Sequence, residues 1–207
     1  MRPPLLEAIR GFYAVLDRED EQLARTLLSS GARVLQVRLK PAGRRVGADE
    51  VLRVAKMARR VCDEMNAALV VNDRLDVALL AGADGVHLGQ TDLSLADARP
   101  QAKSLWIGVS THNIVQVRAA VDGGADYLGY GPVFATTTKE NPDPTQGLAA
   151  LRAAVVAAGK TPVVAIGGVT PAHAVDVYST GVAAICAISS VNTAGDIAAA
   201  GRSLARS

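Results

Sequence analysis

Polar side chains recur in this sequence just after short apolar runs, where alternation or a turn gathers them on one surface. Gln36, Arg38 and Lys40 occupy alternate positions in Gln36-Val-Arg38-Leu-Lys40, and alternate positions of a strand share a face. Two cations on an inward face demand anions, either a bound phosphate or interior aspartates in an ion pair. Asp73 ends the run from Ala68, and Asp92 stands just past the run from Gly85. Neighbouring strands lie about 4.8 Å apart, so the two carboxylates can reach one cation. Oxygen ligands with no paired His or Cys nearby favour Mg²⁺. A local use for Asp92 is equally open, as the N-cap before Leu-Ser-Leu, a role Ser94 could also fill.

Two further stretches suit phosphates. Gly131-Pro-Val-Phe-Ala-Thr136-Thr-Thr138-Lys139 combines hydroxyls, backbone N–H groups and a lysine. Its continuation to Gly147 holds Pro142 and Pro144 and reads as a long loop, a candidate lid or a solvated turn. Gly167-Gly168 precedes Thr170-Pro171, which opens a helix; glycines there let the backbone approach an anion, or make a plain tight turn. Ser189 would complete that cradle. Asn72 and Ser110 stand at other such ends. Of the three histidines, His112 alone is placed to meet a ligand. His87 is expected inside the fold or against Asp84, and His173 on a helix. No Ser-His-Asp or Cys-His arrangement is defensible.

The elements that must position these groups follow from periodicity. Eight apolar, β-branched runs read as strands: Phe12–Asp17, Val34–Leu39, Ala68–Asp73, Gly85–Gly89, Trp106–Thr111, Tyr127–Val133, Val163–Gly168 and Ala183–Ser189. Between them Gln22–Ser29, Asp49–Glu64, Ile114–Val121 and Leu148–Ala157 carry helical apolar spacing. A weak repeat, Ser30-Gly31-Ala32, Ala81-Gly82-Ala83-Asp84, Gly123-Gly124-Ala125-Asp126 and Thr180-Gly181-Val182, places glycine where a helix stops and a strand starts. Eight βα units predict a single-domain (β/α)₈ barrel, a TIM barrel, with its active site at the C-terminal ends of the strands. A doubly wound open sheet fits the alternation too, but no G-x-G-x-x-G turn follows the first strand.

Composition narrows the function classes. The 207 residues are 49% hydrophobic and 20% charged, enough for a core without disulfides or metal staples. Near-balanced charge, +2 overall, and 3% aromatics argue against a nucleic-acid partner. Cys62 and Cys186 have no disulfide or metal spacing. Without a long apolar stretch the chain is expected in the cytoplasm, with no membrane partner. Its oligomeric state, monomer or homo-oligomer, is left open.

Taken together, Val71-Asn-Asp-Arg-Leu-Asp76, Gly85-Val-His-Leu-Gly-Gln-Thr-Asp92, Ile107-Gly-Val-Ser-Thr-His112 and Tyr127 through Lys139 resemble the thiamine-phosphate synthase family over nearly the whole chain. The resemblance implies a transferase that joins an aminopyrimidine diphosphate to a thiazole phosphate through a pyrimidine cation. It implies Gln36, Arg38, Lys40, Asn72, Ser110 and Lys139 around the diphosphate substrate, with Lys139, Ser110 and Arg38 catalytic. It implies Asp73 and Asp92 on Mg²⁺, and Thr136, Thr138, Gly168, Ile188 and Ser189 on the thiazole phosphate. The chain departs at Leu39, where the family often has Glu, and at Ala135, where it often has Pro. The arginine-rich Pro41–Val46 is a further departure. A sister branch resembling thiazole tautomerases tends to lose the second aspartate and the threonine-lysine loop, both present here. A non-catalytic thiamine-phosphate binder and an unrelated phosphosugar barrel are the remaining alternatives.

Overall fold

The computed structural model describes residues 4–41, 43–136 and 144–205. Eight parallel strands close into a barrel in chain order: β1 (Gly11–Leu16), β2 (Val34–Val37), β3 (Ala68–Asn72), β4 (Gly85–Leu88), β5 (Trp106–Thr111), β6 (Tyr127–Tyr130), β7 (Val163–Ala165) and β8 (Ala184–Cys186). Closure by the β1–β8 pair excludes the open-sheet alternative. Around the barrel run α1 (Leu5–Ala8), α2 (Glu21–Ser29), α3 (Ala48–Glu64), α4 (Leu75–Leu80), α5 (Leu95–Ala98), α6 (Ile114–Asp122), α7 (Gly147–Ala158), α8 (Ala174–Tyr178), α9 (Ser189–Asn192) and α10 (Ile197–Arg202).

Local chemistry explains the boundaries. Asp20, Ser94, Asn113 and Asp196 cap α2, α5, α6 and α10, each accepting the backbone N–H three residues on. The expected glycine junctions hold: Gly31, Gly82, Gly124 and Gly181 all have positive φ. Several strands stop short of their expected C-terminal ends. β6 stops at Tyr130, short of the expected Val133, and β7 stops at Ala165 rather than Gly168. In each case the chain leaves the ladder to line the space above the barrel.

Two apolar layers follow from strand alternation. Outward residues such as Val37, Leu69, Val71, Ile107 and Leu128 pack against the helices, including the Val51, Val54, Ala58 and Val61 stripe of α3. Inward residues Tyr13, Val15, Val34, Ala68, Val70, Tyr127, Val164, Ala184 and Cys186 fill the barrel, joined by Ala8 and Ile9 from the α1 end of the chain. At the N-terminal ends of the strands two aspartates clamp neighbouring units. Asp84 Oδ2 accepts the Leu69 N–H at 2.8 Å and Arg59 Nη1 at 2.6 Å. Asp126 Oδ2 accepts the Ile107 N–H at 2.7 Å and Arg99 Nη2 at 2.8 Å. The Asp of the Gly-Ala-Asp repeat is therefore a structural tie between a strand and the one before it.

Candidate active site

The C-terminal ends of the strands open into a cavity of about 710 Å³. Gln36, Arg38, Lys40, Asn72, Asp73, Asp92, Ser110, Thr136, Gly168, Ile188 and Ser189 all line it. Thr138 and Lys139 lie outside the described residues, as does the stretch 137–143 of the expected lid segment.

The β2 side carries the charge. Lys40 Nζ sits 2.7 Å from Asp73 Oδ2, so the ion-pair reading holds for this cation. Arg38 is different: among the described residues it makes no ion pair and no side-chain hydrogen bond. Its charge reaches the ring of His87 and the thiol of Cys186 below it, lowering the pKa of both. Burial dominates at each, pushing His87 down to about 4 and Cys186 up to about 12.

Asp73 is held in an unusual backbone. Its φ is 62°, and the Arg74 N–H donates to Asn72 O across it at 2.8 Å. A non-glycine residue in this region costs of order 1–3 kcal/mol, and such positions cluster at functional sites. The turn brings Asp73 to Asp92. Asp92 Oδ2 accepts the Gly89 N–H at 2.8 Å, while Ser94 takes the helix N-cap, which settles the alternative role of Asp92. Burial first, then the hydrogen bond with Asp73, raises the Asp92 carboxyl above its ordinary range. Two carboxylates held together, with oxygen-only donors, fit a hard dication. Among the described residues no group of three His, Cys, Asp or Glu converges. A cation here would draw its other ligands from water or substrate oxygens, the habit of Mg²⁺.

On the opposite side the loops after β6, β7 and β8 interlock. Phe134 N–H donates to Gly167 O at 2.9 Å, and Ser190 Oγ donates to Val169 O at 2.8 Å. A Cβ on Gly168, whose φ is 64°, would run into the backbone of Phe134 and Ala135. These glycines are thus explained by close loop packing, and the loop they form still faces the cavity. His173 stacks on Phe134 with ring centroids 4.0 Å apart. His112 lines the cavity with Nδ1 2.6 Å from Gly131 O.

The cavity floor was not legible in advance. Gln36 Nε2 donates to Tyr13 Oη at 2.9 Å, and Tyr13 Oη lies 2.9 Å from Tyr127 Oη. Tyr127 Oη is 3.1 Å from His87 Nδ1, and His87 Nε2 is 2.9 Å from Ser110 Oγ. His87 therefore points into the barrel; Asp84, its other expected neighbour, is engaged by Arg59 at the far end. One signal was available: inward parity puts glycines at 108 and 129 beside the two rings, and those glycines need a reason.

Comparison with known proteins identifies the family of the chain. The family described as thiamine monophosphate synthase matches residues 12–191. A thiamine-phosphate synthase of Chloroflexus aurantiacus is 42% identical over 187 residues, covering 90% of this chain and 84% of the relative. One from Laribacter hongkongensis is 43% identical over 203 residues, covering 93% and 92%. A solved thiamine phosphate pyrophosphorylase from Pyrococcus furiosus superposes with a TM-score of 0.87 at 34% identity, covering 97% of this chain and 96% of that one. The chain belongs to the thiamine monophosphate synthase family.

Proposed function

We propose that this barrel joins an aminopyrimidine methyl diphosphate to a thiazole phosphate, giving thiamine phosphate and diphosphate. One observation carries the reading: Arg38, which has no ion pair among the described residues, lines the same cavity as the like-charged pair Asp73–Asp92. Among the described residues the arginine meets no anion, and Lys40 is the one cation paired with the two carboxylates. A diphosphate carrying a dication satisfies both.

The reaction balances without acid or base. The bond from the pyrimidine methylene carbon to the diphosphate oxygen breaks, and its electron pair leaves with diphosphate. The ring amino group stabilises the resulting cation. The thiazole nitrogen then gives its lone pair to that carbon, forming the C–N bond, and nothing is oxidised or reduced. This accounts for a site rich in charge and hydrogen-bond donors but lacking a triad.

The side chains have separate tasks. Arg38 and Ser110, with Lys139, meet the developing charge on the leaving group. Gln36 and Asn72 orient the pyrimidine from β2 and β3, while Lys40 holds Asp73 in place through the 2.7 Å ion pair. Thr136, Thr138, Gly168, Ile188 and Ser189 hold the thiazole phosphate, which sets the two reactants in line. Asp73 and Asp92 would hold Mg²⁺, which supplies further charge neutralisation on the diphosphate. No described helix is long and apolar enough to cross a membrane, which suits water-soluble phosphorylated substrates in the cytoplasm.

The test is a coupling assay with both substrates, with and without Mg²⁺, following thiamine phosphate. Product only with the metal is the expected result. Product without it would retire the metal role of Asp73 and Asp92 but keep the condensation. Tight substrate binding without turnover would turn the reading to a non-catalytic binder.

A further inference from the structure

The hydrogen-bond chain under the cavity has a direction, and proton bookkeeping fixes it. Tyr13 and Tyr127 are 3% and 0% exposed. Tyr13 Oη already accepts from Gln36 Nε2. If Tyr127 also donated to Tyr13, the Tyr13 proton would have no acceptor, because Gln36 and Tyr127 are its only hydrogen-bond partners among the described residues. Native interiors avoid a buried hydroxyl proton left unmatched. Tyr13 therefore donates to Tyr127, and the Tyr127 proton goes to His87 Nδ1. A neutral imidazole with an unprotonated Nδ1 carries its proton on Nε2. That N–H donates to Ser110 Oγ, leaving the Ser110 proton to point at the cavity the residue lines.

We propose that Tyr13, Tyr127 and His87 are positioning residues that lock His87 as its Nε2–H tautomer and so present Ser110 as a hydrogen-bond donor to an acceptor atom of the substrate. The identity of that acceptor, on the pyrimidine diphosphate, rests on the function proposed above; the tautomer does not.

An independent feature supports a floor built for this pair of rings. The inward positions 108 and 129 on β5 and β6 are glycines. A Cβ on Gly108 would overlap the Tyr127 ring and His87 Nδ1, and one on Gly129 would come within 3.2–3.3 Å of His87 Cε1 and Nε2. Side chains are absent where the His87–Tyr127 contact, with ring centroids 5.4 Å apart, takes the space.

The test reads the tautomer directly. In ¹⁵N-labelled protein the imidazole nitrogens of three histidines are observable, and His87→Gln identifies the His87 pair by its loss. The expected signature is a pyridine-type Nδ1 and a pyrrole-type Nε2 in the absence of any substrate; the reverse pattern overturns the proposal. Tyr127→Phe removes the donor to Nδ1, so the His87 signals should shift toward the other tautomer. Turnover should then fall about tenfold, the worth of one hydrogen bond, with KM for the thiazole phosphate unchanged. His87→Met should lose more, and His87→Gln, which can place an amide N–H near the Nε2 position, should recover part of that loss. Unchanged tautomer and turnover in Tyr127→Phe, with the His112 and His173 signals confirming a native fold, would sink the proposal. A correct tautomer in a protein that makes no thiamine phosphate would instead count against the transferase reading alone.

Discussion

The two ends of the barrel treat charge in opposite ways. At the N-terminal ends of the strands, Asp84 and Asp126 each have an arginine and a backbone N–H within 2.8 Å. At the C-terminal ends, Arg38 has no anion among the described residues, and Asp92 faces the second carboxyl group of Asp73. The first arrangement is complete within the chain and serves the fold. The second is complete only with something bound, and serves chemistry. Charge satisfaction, more than polarity, separates the two faces.

The comparison breaks most visibly at Asp84. Asp84→Ala leaves Arg59, 8% exposed, with the solvent-exposed Asp63 carboxylate at 2.9 Å in place of its buried partner, and the Leu69 N–H without its acceptor. Removing one partner of a buried ion pair costs about 3–5 kcal/mol. A urea titration should show that loss in ΔG, while the molecules that remain folded keep their turnover number. A loss under about 1 kcal/mol would mean the clamp is decorative.

Arg38→Met should give the opposite pattern. With no ion pair or side-chain hydrogen bond to lose among the described residues, stability should stay within about 0.5 kcal/mol of the parent. Removing a charge aimed at a leaving group should lower kcat by about 10²–10³-fold. The two variants form a double dissociation between the ends. It collapses if Arg38→Met unfolds as easily as Asp84→Ala.

Between the ends, His87 gives a pH signature. Burial, then the charge of Arg38, pushes its pKa from 6.5 down to about 4. A depressed folded value favours the neutral ring, so the contribution to stability is present above pH 6.5. It is lost as the pH falls through about 4, because the unfolded chain takes up the proton first. The shift corresponds to about 3 kcal/mol. Urea midpoints measured from pH 7 to pH 4 should fall, and less steeply for His87→Gln. Parallel slopes would place the acid sensitivity elsewhere.

How much of this was legible depended on how far each signal extends along the chain. The eight strands and the helices α2, α3, α6 and α7 span enough residues for periodicity to register. α4, α5, α8 and α9 have four to six residues each, less than two turns, and carry no readable moment. The cavity residues were legible because polar groups at the ends of apolar runs stand out by type. The floor was not, since Tyr13 and Tyr127 look like core aromatics. Only the β1–β6 juxtaposition across the barrel, 114 residues apart in sequence, gives their hydroxyls partners.

The smallest effect is the sharpest test of the C-terminal end. Asp92→Asn keeps an oxygen for the Gly89 N–H and removes one of two facing charges. The raised carboxyl of Asp92 contributes stability below its ordinary value of 3.8 and loses it as the pH rises through the folded value. At neutral pH the metal-free parent therefore holds two like charges together without compensation from titration. Lys40 offsets part of this through Asp73, and solvent screens the half-buried carboxylate. The variant should gain a few tenths to about 1 kcal/mol at pH 7 in metal-free buffer, and nothing below pH 3. Added Mg²⁺ should raise the melting temperature of the parent and leave the variant unmoved. A variant less stable than its parent at pH 7 would mean the carboxylates are held by the fold for its own sake, and the contrast between the two ends would fail.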